Sequence, residues 1–140
     1  MKKKQQLAEN NAAAGTQFLK ANATRDNIVV TETGLQYEVL KKSDQTAQPT
    51  RTDTVKVHYH GTYINGKVFD SYIERGRPAV FPVSGVIPGW TEALLKMHVG
   101  DQWKLYIPSA LAYGEAGYGQ AIEPNTTLIF EVELLEIEEK

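Results

Sequence analysis

Few residues of this 140-residue chain could make or break a covalent bond. There is no cysteine, which removes a thiolate nucleophile, a disulfide scaffold and a cysteine-ligated zinc site, and leaves reducing and oxidising compartments equally open. His58 and His60 stand at i, i+2 and share one strand face, but no third metal ligand accompanies them, so they read as surface strand residues. His98 follows a helical run and reads as support for its C-terminal end. The glycines between 114 and 119 lack the Lys and Ser/Thr of a phosphate loop, which argues against nucleotide binding. The sharpest remaining signal is apolar: Val86-Ile87-Pro88-Gly89-Trp90. Its proline fixes φ and its glycine permits unusual backbone geometry, so the segment turns and delivers a large ring to the start of a helix. Taken alone, Trp90 reads as core or as the floor of an apolar pocket.

The elements that must position this segment follow from patterning. The length fits one domain with a real core. A formal net charge of −2 with scattered basic residues gives no footprint for nucleic acid. Met1-Lys2-Lys3-Lys4 imitates the head of a secretory signal, but Gln5-Gln6-Leu7-Ala8-Glu9-Asn10 supplies no apolar region, so neither a signal nor a membrane span is expected in this chain. From Gln5 to about Ala21 the periodicity is helical, with Leu7, Ala14, Phe18 and Ala21 along one stripe and Ala8, Ala12 and Leu19 beside it. Gly15 weakens that helix by roughly 1 kcal/mol relative to Ala. The arm either packs on the domain or continues a longer helix. Residues 1–27 are therefore expected to form an N-terminal helical arm and 28–140 the compact domain.

Beyond Ile28 the period becomes two. Leu35, Tyr37 and Val39 alternate with polar residues, as do Val55, Val57 and Tyr59. Asn65-Gly66 between Thr62-Tyr63-Ile64 and Lys67-Val68-Phe69 signals an antiparallel hairpin. Trp103, Leu105 and Ile107 form a further strand face, ended by Pro108, and Leu128, Phe130, Val132 and Leu134 form the last. One internal helix is expected, from Trp90 to Met97, with Trp90, Leu94 and Leu95 facing a sheet. The fold class is α+β: a curved antiparallel β-sheet wrapped around one short α-helix and preceded by the helical arm.

The order of motifs resembles the FKBP-type peptidyl-prolyl cis-trans isomerases. It is carried by Val57-His58-Tyr59-His60-Gly61, Val68-Phe69-Asp70-Ser71, Val86-Ile87-Pro88-Gly89-Trp90, Leu111-Ala112-Tyr113-Gly114 and the run from Asn125 to Leu134, so that the match covers about Thr33 to Ile137. The helical arm leading into Thr33-Gly34-Leu35-Gln36-Tyr37 is similar to the bacterial branch related to the macrophage infectivity potentiators, in which the arm ends a longer helix leading to a dimerisation domain. The resemblance implies rotation about Xaa-Pro bonds in protein folding, with no cofactor and no metal. Such rotation breaks no covalent bond; its barrier of roughly 18–20 kcal/mol is amide resonance. A twisted amide is less dipolar than a planar one, so an apolar pocket can favour it.

Carried over by position, the resemblance assigns Tyr59, Phe69, Asp70, Val86, Ile87, Trp90, Tyr113, Ile122 and Phe130 to the pocket. Trp90 would lie beneath the proline ring with Tyr59, Phe69 and Phe130 as walls, and the Ile87 N–H and Tyr113 hydroxyl would bind substrate carbonyls. Asp70 has two open roles: an electrostatic partner for the twisted amide, or an acceptor from Tyr59 or Arg75 that fixes the walls. Around the rim, Ala79, Gly85, Tyr118 and Ala121 depart from the eukaryotic pattern, which implies a wider mouth and a less secure macrolide site. The loop from Glu115 to Glu123 is expected to overhang the substrate. The implied partners are proline-containing client segments, a macrolide inhibitor, and a second copy through the arm of a longer chain. The compartment is periplasmic or outer-membrane associated if an upstream signal was removed, and cytoplasmic otherwise. The alternative function is a noncatalytic peptide-binding or chaperone module.

Overall fold

The computed structural model describes residues 2–71, 78–118 and 122–138. Helix α1 runs over Lys2–Asn22 and is followed by β1 (Ile28–Val30), β2 (Gln36–Lys41), β3 (Thr54–Tyr63), β4 (Val68–Ser71) and β5 (Ala79–Pro82). Then come α2 (Pro88–Lys96), β6 (Gln102–Ile107) and β7 (Leu128–Ile137). Single 3-10 turns occupy Val83–Gly85, Ser109–Leu111 and Gly114–Ala116.

All strand pairings are antiparallel, in the order β1-β2-β6-β7-β3-β4, with β5 also paired to β3. The long strands β3 and β7 form the centre. β3 gives its first half to β5, from Thr54↔Pro82 to Val57↔Ala79, and its second half to β4. The alternation expected in three strands is met: Val55, Val57 and Tyr59, then Trp103, Leu105 and Ile107, then Leu128, Phe130, Val132 and Leu134 are all buried in one core. Trp90, Ala93, Leu94 and Met97 of the α2 region close that core. Leu95, expected to face the sheet with them, is only half-buried because it lies beyond the stripe of Trp90 and Leu94.

Strand β2 and the arm depart from the expected pattern for a common reason. Gln36 is buried because α1 covers the polar side of β2, while on the other face Leu35 is in the core and Val39 is 43% exposed. Asn22 Nδ2 donates to Gln36 Oε1 (2.9 Å), and Gln36 Nε2 donates to the Leu19 carbonyl (2.9 Å). The stripe of α1 that meets the domain is Ala8, Asn11, Gly15, Phe18 and Asn22, rather than the stripe of Leu7, Ala14, Phe18 and Ala21; Leu7, Ala14 and Ala21 are exposed. Phe18 lies 5.9 Å from the Tyr106 ring. Gly15 is buried because a Cβ there would collide with the Thr127 hydroxyl. Its absent side chain is a docking feature, outweighing its cost in helix propensity. Among the described residues, no helix is long and apolar enough to cross a membrane.

Candidate functional site

Helix α2 begins where the Ile87 carbonyl accepts from the N–H groups of Trp90 (3.0 Å) and Thr91 (3.1 Å). Pro88 occupies the first turn, where its missing N–H costs nothing. Gly89 has an ordinary helical φ, contrary to the expectation of unusual backbone geometry. A Cβ at Gly89 would stand 2.7 Å from Ile107 Cγ2. Glycine therefore lets the helix start press against β6, and this seats Trp90 at 4% exposure.

Trp90 sits among three rings, each nearly perpendicular to it: Tyr59 (5.2 Å, 83°), Phe130 (5.2 Å, 90°) and Phe81 (5.5 Å, 86°). Phe69 meets Phe130 at 5.5 Å and 81°. These edge-to-face pairs suit the aromatic quadrupole and hold the rings in fixed orientations. The indole Nε1 of Trp90 is buried without a hydrogen-bond partner among the described residues. Above the floor is a cavity of about 400 Å³ lined by Tyr59, Phe69, Asp70, Phe81, Gly85, Val86, Ile87, Trp90, Tyr113 and Phe130.

Two consecutive residues, Phe69 and Asp70, both line this cavity, although successive side chains of a regular strand point to opposite faces. The pairing of β3 with β4 explains it. Gly61 pairs with Asp70 but Thr62 pairs with Val68, so Phe69 is the extra residue of a β-bulge. Gly61 makes room beside it: a Cβ there would lie 2.8 Å from Phe69 Cζ and 2.8 Å from Phe130 Cε1. Tyr59 then donates its hydroxyl proton to Asp70 Oδ2 at 2.6 Å. Of the two partners weighed for Asp70, Tyr59 is in place; Arg75 lies outside the described residues.

The remaining polar groups come from turns. No acceptor among the described residues takes the Ile87 N–H. Tyr113 follows the turn Ser109–Leu111 and stacks on the exposed Tyr118 at 5.1 Å and 25°. Burial raises the Tyr113 phenol pKa, and the neighbouring Tyr118 and Asp70 add to the shift. The phenol is thus a proton donor at neutral pH. The turn Val83–Gly85, which leads to Val86, is anchored by the buried Thr91 hydroxyl donating to the Val83 carbonyl at 2.7 Å.

Eight of the nine sequence-assigned positions line the cavity, and Ile122 does not. Ile122 is 3% exposed, packs into the core and pairs with Tyr118 through a backbone bridge. Phe81 is a wall that sequence reasoning missed. Its signal was the alternation of Ala79 and Phe81 about the exposed Val80. Of the rim positions, Gly85 lines the cavity, Tyr118 is 66% exposed, and Ala79 is buried core rather than rim; Ala121 lies outside the described residues. The histidines serve local contacts. His58 Nδ1 lies 3.7 Å from Glu133, and His98 pairs with the buried Asp101 rather than with the end of α2. Asp101 also accepts from the backbone N–H groups of Ser43 and His98, a loop clasp without a sequence signal.

The arrangement can hold a compact apolar ring, with hydrogen-bonding groups on one side and no evident nucleophile-base pair among its lining residues. Comparison with known proteins bears on the same elements. The family described as "FKBP-type peptidyl-prolyl cis-trans isomerase" matches residues 45–135. The chain belongs to this family. The "domain amino terminal to FKBP-type peptidyl-prolyl isomerase" matches residues 1–39 of this FKBP-type chain. A relative, the FKBP-type 22 kDa peptidyl-prolyl cis-trans isomerase of Escherichia coli, is 56% identical over 126 residues, 90% of this chain and 61% of that protein. The outer membrane protein MIP of Legionella longbeachae is 48% identical over 130 residues, 93% of this chain and 55% of that protein. The crystal structure of FkpA from Escherichia coli superposes with a TM-score of 0.92 at 43% identity, covering 97% of this chain and 63% of that one. The chain therefore spans little more than half the length of these curated relatives.

Proposed function

We propose that this chain is a peptidyl-prolyl cis-trans isomerase that accelerates rotation about Xaa-Pro bonds in client proteins by binding the twisted amide without a covalent intermediate. The observation that carries this reading is the aromatic cavity over Trp90, with Asp70, Tyr113 and the Ile87 N–H at its edge. The proline ring rests on Trp90 between Tyr59, Phe69, Phe81 and Phe130. The Ile87 N–H and the Tyr113 hydroxyl direct the flanking carbonyls. Asp70, oriented by Tyr59, faces the rotating amide; no proton transfer is required of it. A twisted amide sheds charge separation, so water exclusion by these rings favours it over the planar ground state. Each roughly 1.4 kcal/mol of preferential binding multiplies the rate about tenfold, which a few ring contacts and two hydrogen bonds can supply.

Ile122 acts here behind the wall, supporting the turn of Tyr118 rather than touching substrate. Residues 1–27 are an arm docked on a domain of residues 28–140; in a longer native chain the arm continues toward a dimerisation segment and a homodimer. Macrolides are candidate inhibitors of the same cavity, and outer-membrane association is the compartment suggested by the MIP relative's name. A protease-coupled assay on a short Xaa-Pro peptide tests the central claim. Acceleration over the spontaneous rate is expected, and its absence would leave the noncatalytic peptide-binding module as the better reading.

A further inference from the structure

Resting on the isomerase reading, we infer that Asn125 is a positioning residue that ties the docked arm α1 to the turn presenting Tyr113, so that docking of the arm sets the placement of the Tyr113 hydroxyl. Asn125 is the one described non-glycine residue with positive φ, at 58°, a conformation that asparagine tolerates better than most residues. In that conformation its donors reach two different elements. The backbone N–H donates to the Gly114 carbonyl at 2.8 Å, one residue after Tyr113. The side-chain Nδ2 donates to the Ala8 carbonyl of α1 at 3.2 Å. The turn requires only the first bond.

The arm grips the same segment at two further points. Asn11 Nδ2 donates to the Pro124 carbonyl at 3.0 Å and to Glu123 Oε1 at 3.3 Å. One turn along, Gly15 meets Thr127 with no room for a Cβ. On the other side, the Gly117 N–H donates back to the carbonyls of Tyr113 (3.2 Å) and Gly114 (3.4 Å), closing the turn that Asn125 anchors. Residues 8, 11 and 15 thus hold 123–127, and 125 holds 114. An apolar stripe would dock the arm with sliding freedom; directional hydrogen bonds and a glycine notch specify one register.

The test substitutes Asn125→Gly, which keeps the left-handed backbone and its N–H while deleting the arm contact, and separately Gly15→Ala, which favours the helix but obstructs docking. Each is expected to lower kcat/KM for an Xaa-Pro peptide by about 3- to 10-fold, the size of effect a small misplacement of a positioned group produces. In a Tyr113→Phe background the same substitutions are expected to add nothing, because the group they position is gone. Equal losses in both backgrounds, or no loss in either, overturn the inference. Amide exchange at Gly117 supplies an arm independent of activity: severalfold faster exchange in Asn125→Gly supports the coupling, and unchanged exchange refutes it. If the unaltered chain failed to accelerate the bond, the isomerase reading would fall and the exchange result alone would decide the coupling.

Discussion

Trp90→Phe separates what the indole does for the fold from what it does for the cavity. Shortening the ring leaves a void of roughly 40 Å³, which at about 24 cal/mol per Å³ costs ~1 kcal/mol. Lost apolar burial adds ~0.8 kcal/mol at about 25 cal/mol per Å², and weakening the perpendicular pairs with Tyr59, Phe81 and Phe130 adds ~0.5–1 kcal/mol. Against this loss stands the Nε1 donor, buried with no partner among the described residues; removing it returns about 1–3 kcal/mol of desolvation penalty. The two sides nearly cancel. Thermal unfolding followed by circular dichroism should show a midpoint within about 4 °C of the parent. On the proposed reading the floor beneath the proline recedes, however, and a contact worth ~1 kcal/mol corresponds to a loss of about fivefold in kcat/KM. Trp103→Phe is the control: its Nε1 is also buried with no partner among the described residues, but it stacks on Tyr37 at 4.0 Å outside the cavity, so kinetics should not change. A destabilisation of Trp90→Phe beyond about 3 kcal/mol would refute the reasoning, because truncation alone does not cost that much and the indole N–H would have to be satisfied.

Tyr59→Phe deletes the hydroxyl that donates to Asp70 at 2.6 Å; calorimetry should show a loss of about 1.5–3 kcal/mol, the worth of a hydrogen bond to a charged group, and peptide assays a several-fold drop in kcat/KM as the carboxylate loses this contact. Gly61→Ala forces a Cβ to 2.8 Å from both Phe69 and Phe130; overpacking of this kind costs about 1–3 kcal/mol, and the displaced walls should raise KM, whereas unchanged kinetics would mean that the rings yield freely. The Tyr113 phenol pKa is raised above its ordinary 10.0, first by burial and then by Tyr118 and Asp70. Ultraviolet titration should show a tyrosine signal that ionises later than the free phenol and is lost in Tyr113→Phe. By linkage, the unfolded chain loses this proton first, so Tyr113's contribution to stability is intact below pH 10 and is lost as pH rises through the higher folded value.

The sequence carried the sheet and the floor well because both rest on period-two burial and local turn chemistry. Val55 to Tyr59, Trp103 to Ile107 and Leu128 to Leu134 alternate where each strand has one buried face. β2 broke the rule because its polar side is covered by α1, and a glutamine can be buried when Asn22 and the Leu19 carbonyl satisfy its amide. The arm was misread for the complementary reason. Helical periodicity scores apolar residues, whereas this interface is built from Asn11, Gly15 and Asn22, whose value depends on a partner that sequence spacing does not reveal. Ala79 shows a similar limit: position in a family motif places a residue near the site, and only packing decides whether it faces the cavity or the core. Phe81 was missed although it alternates with Ala79, because nothing local distinguished a wall from a core ring.

The β-bulge at Phe69 explains how a small domain reconciles two demands that a regular strand sets in opposition. A site for a twisting amide needs apolar walls and a polar group close together, so that the ring is desolvated while the amide is addressed. In an unbroken β4, Phe69 and Asp70 would face opposite sides of the sheet. The extra residue brings both into one cavity, and Gly61 on β3 leaves the space in which Phe69 and Phe130 converge. Asp70 is paired with Gly61, and Tyr59, two residues earlier on β3, shares Gly61's face and can cap the carboxylate. The acid is therefore held by the strand that also supplies a wall. On the proposed reading its orientation is set before substrate binds, as a preorganised group requires if it is to act without a reorganisation cost. The turn-borne groups at Ile87 and Tyr113 lack that rigidity from the sheet. Their fixation comes instead from Thr91 beneath the first and from the Gly114–Asn125 clasp beside the second, so the cavity has one side held by the sheet and one side held by clasped turns.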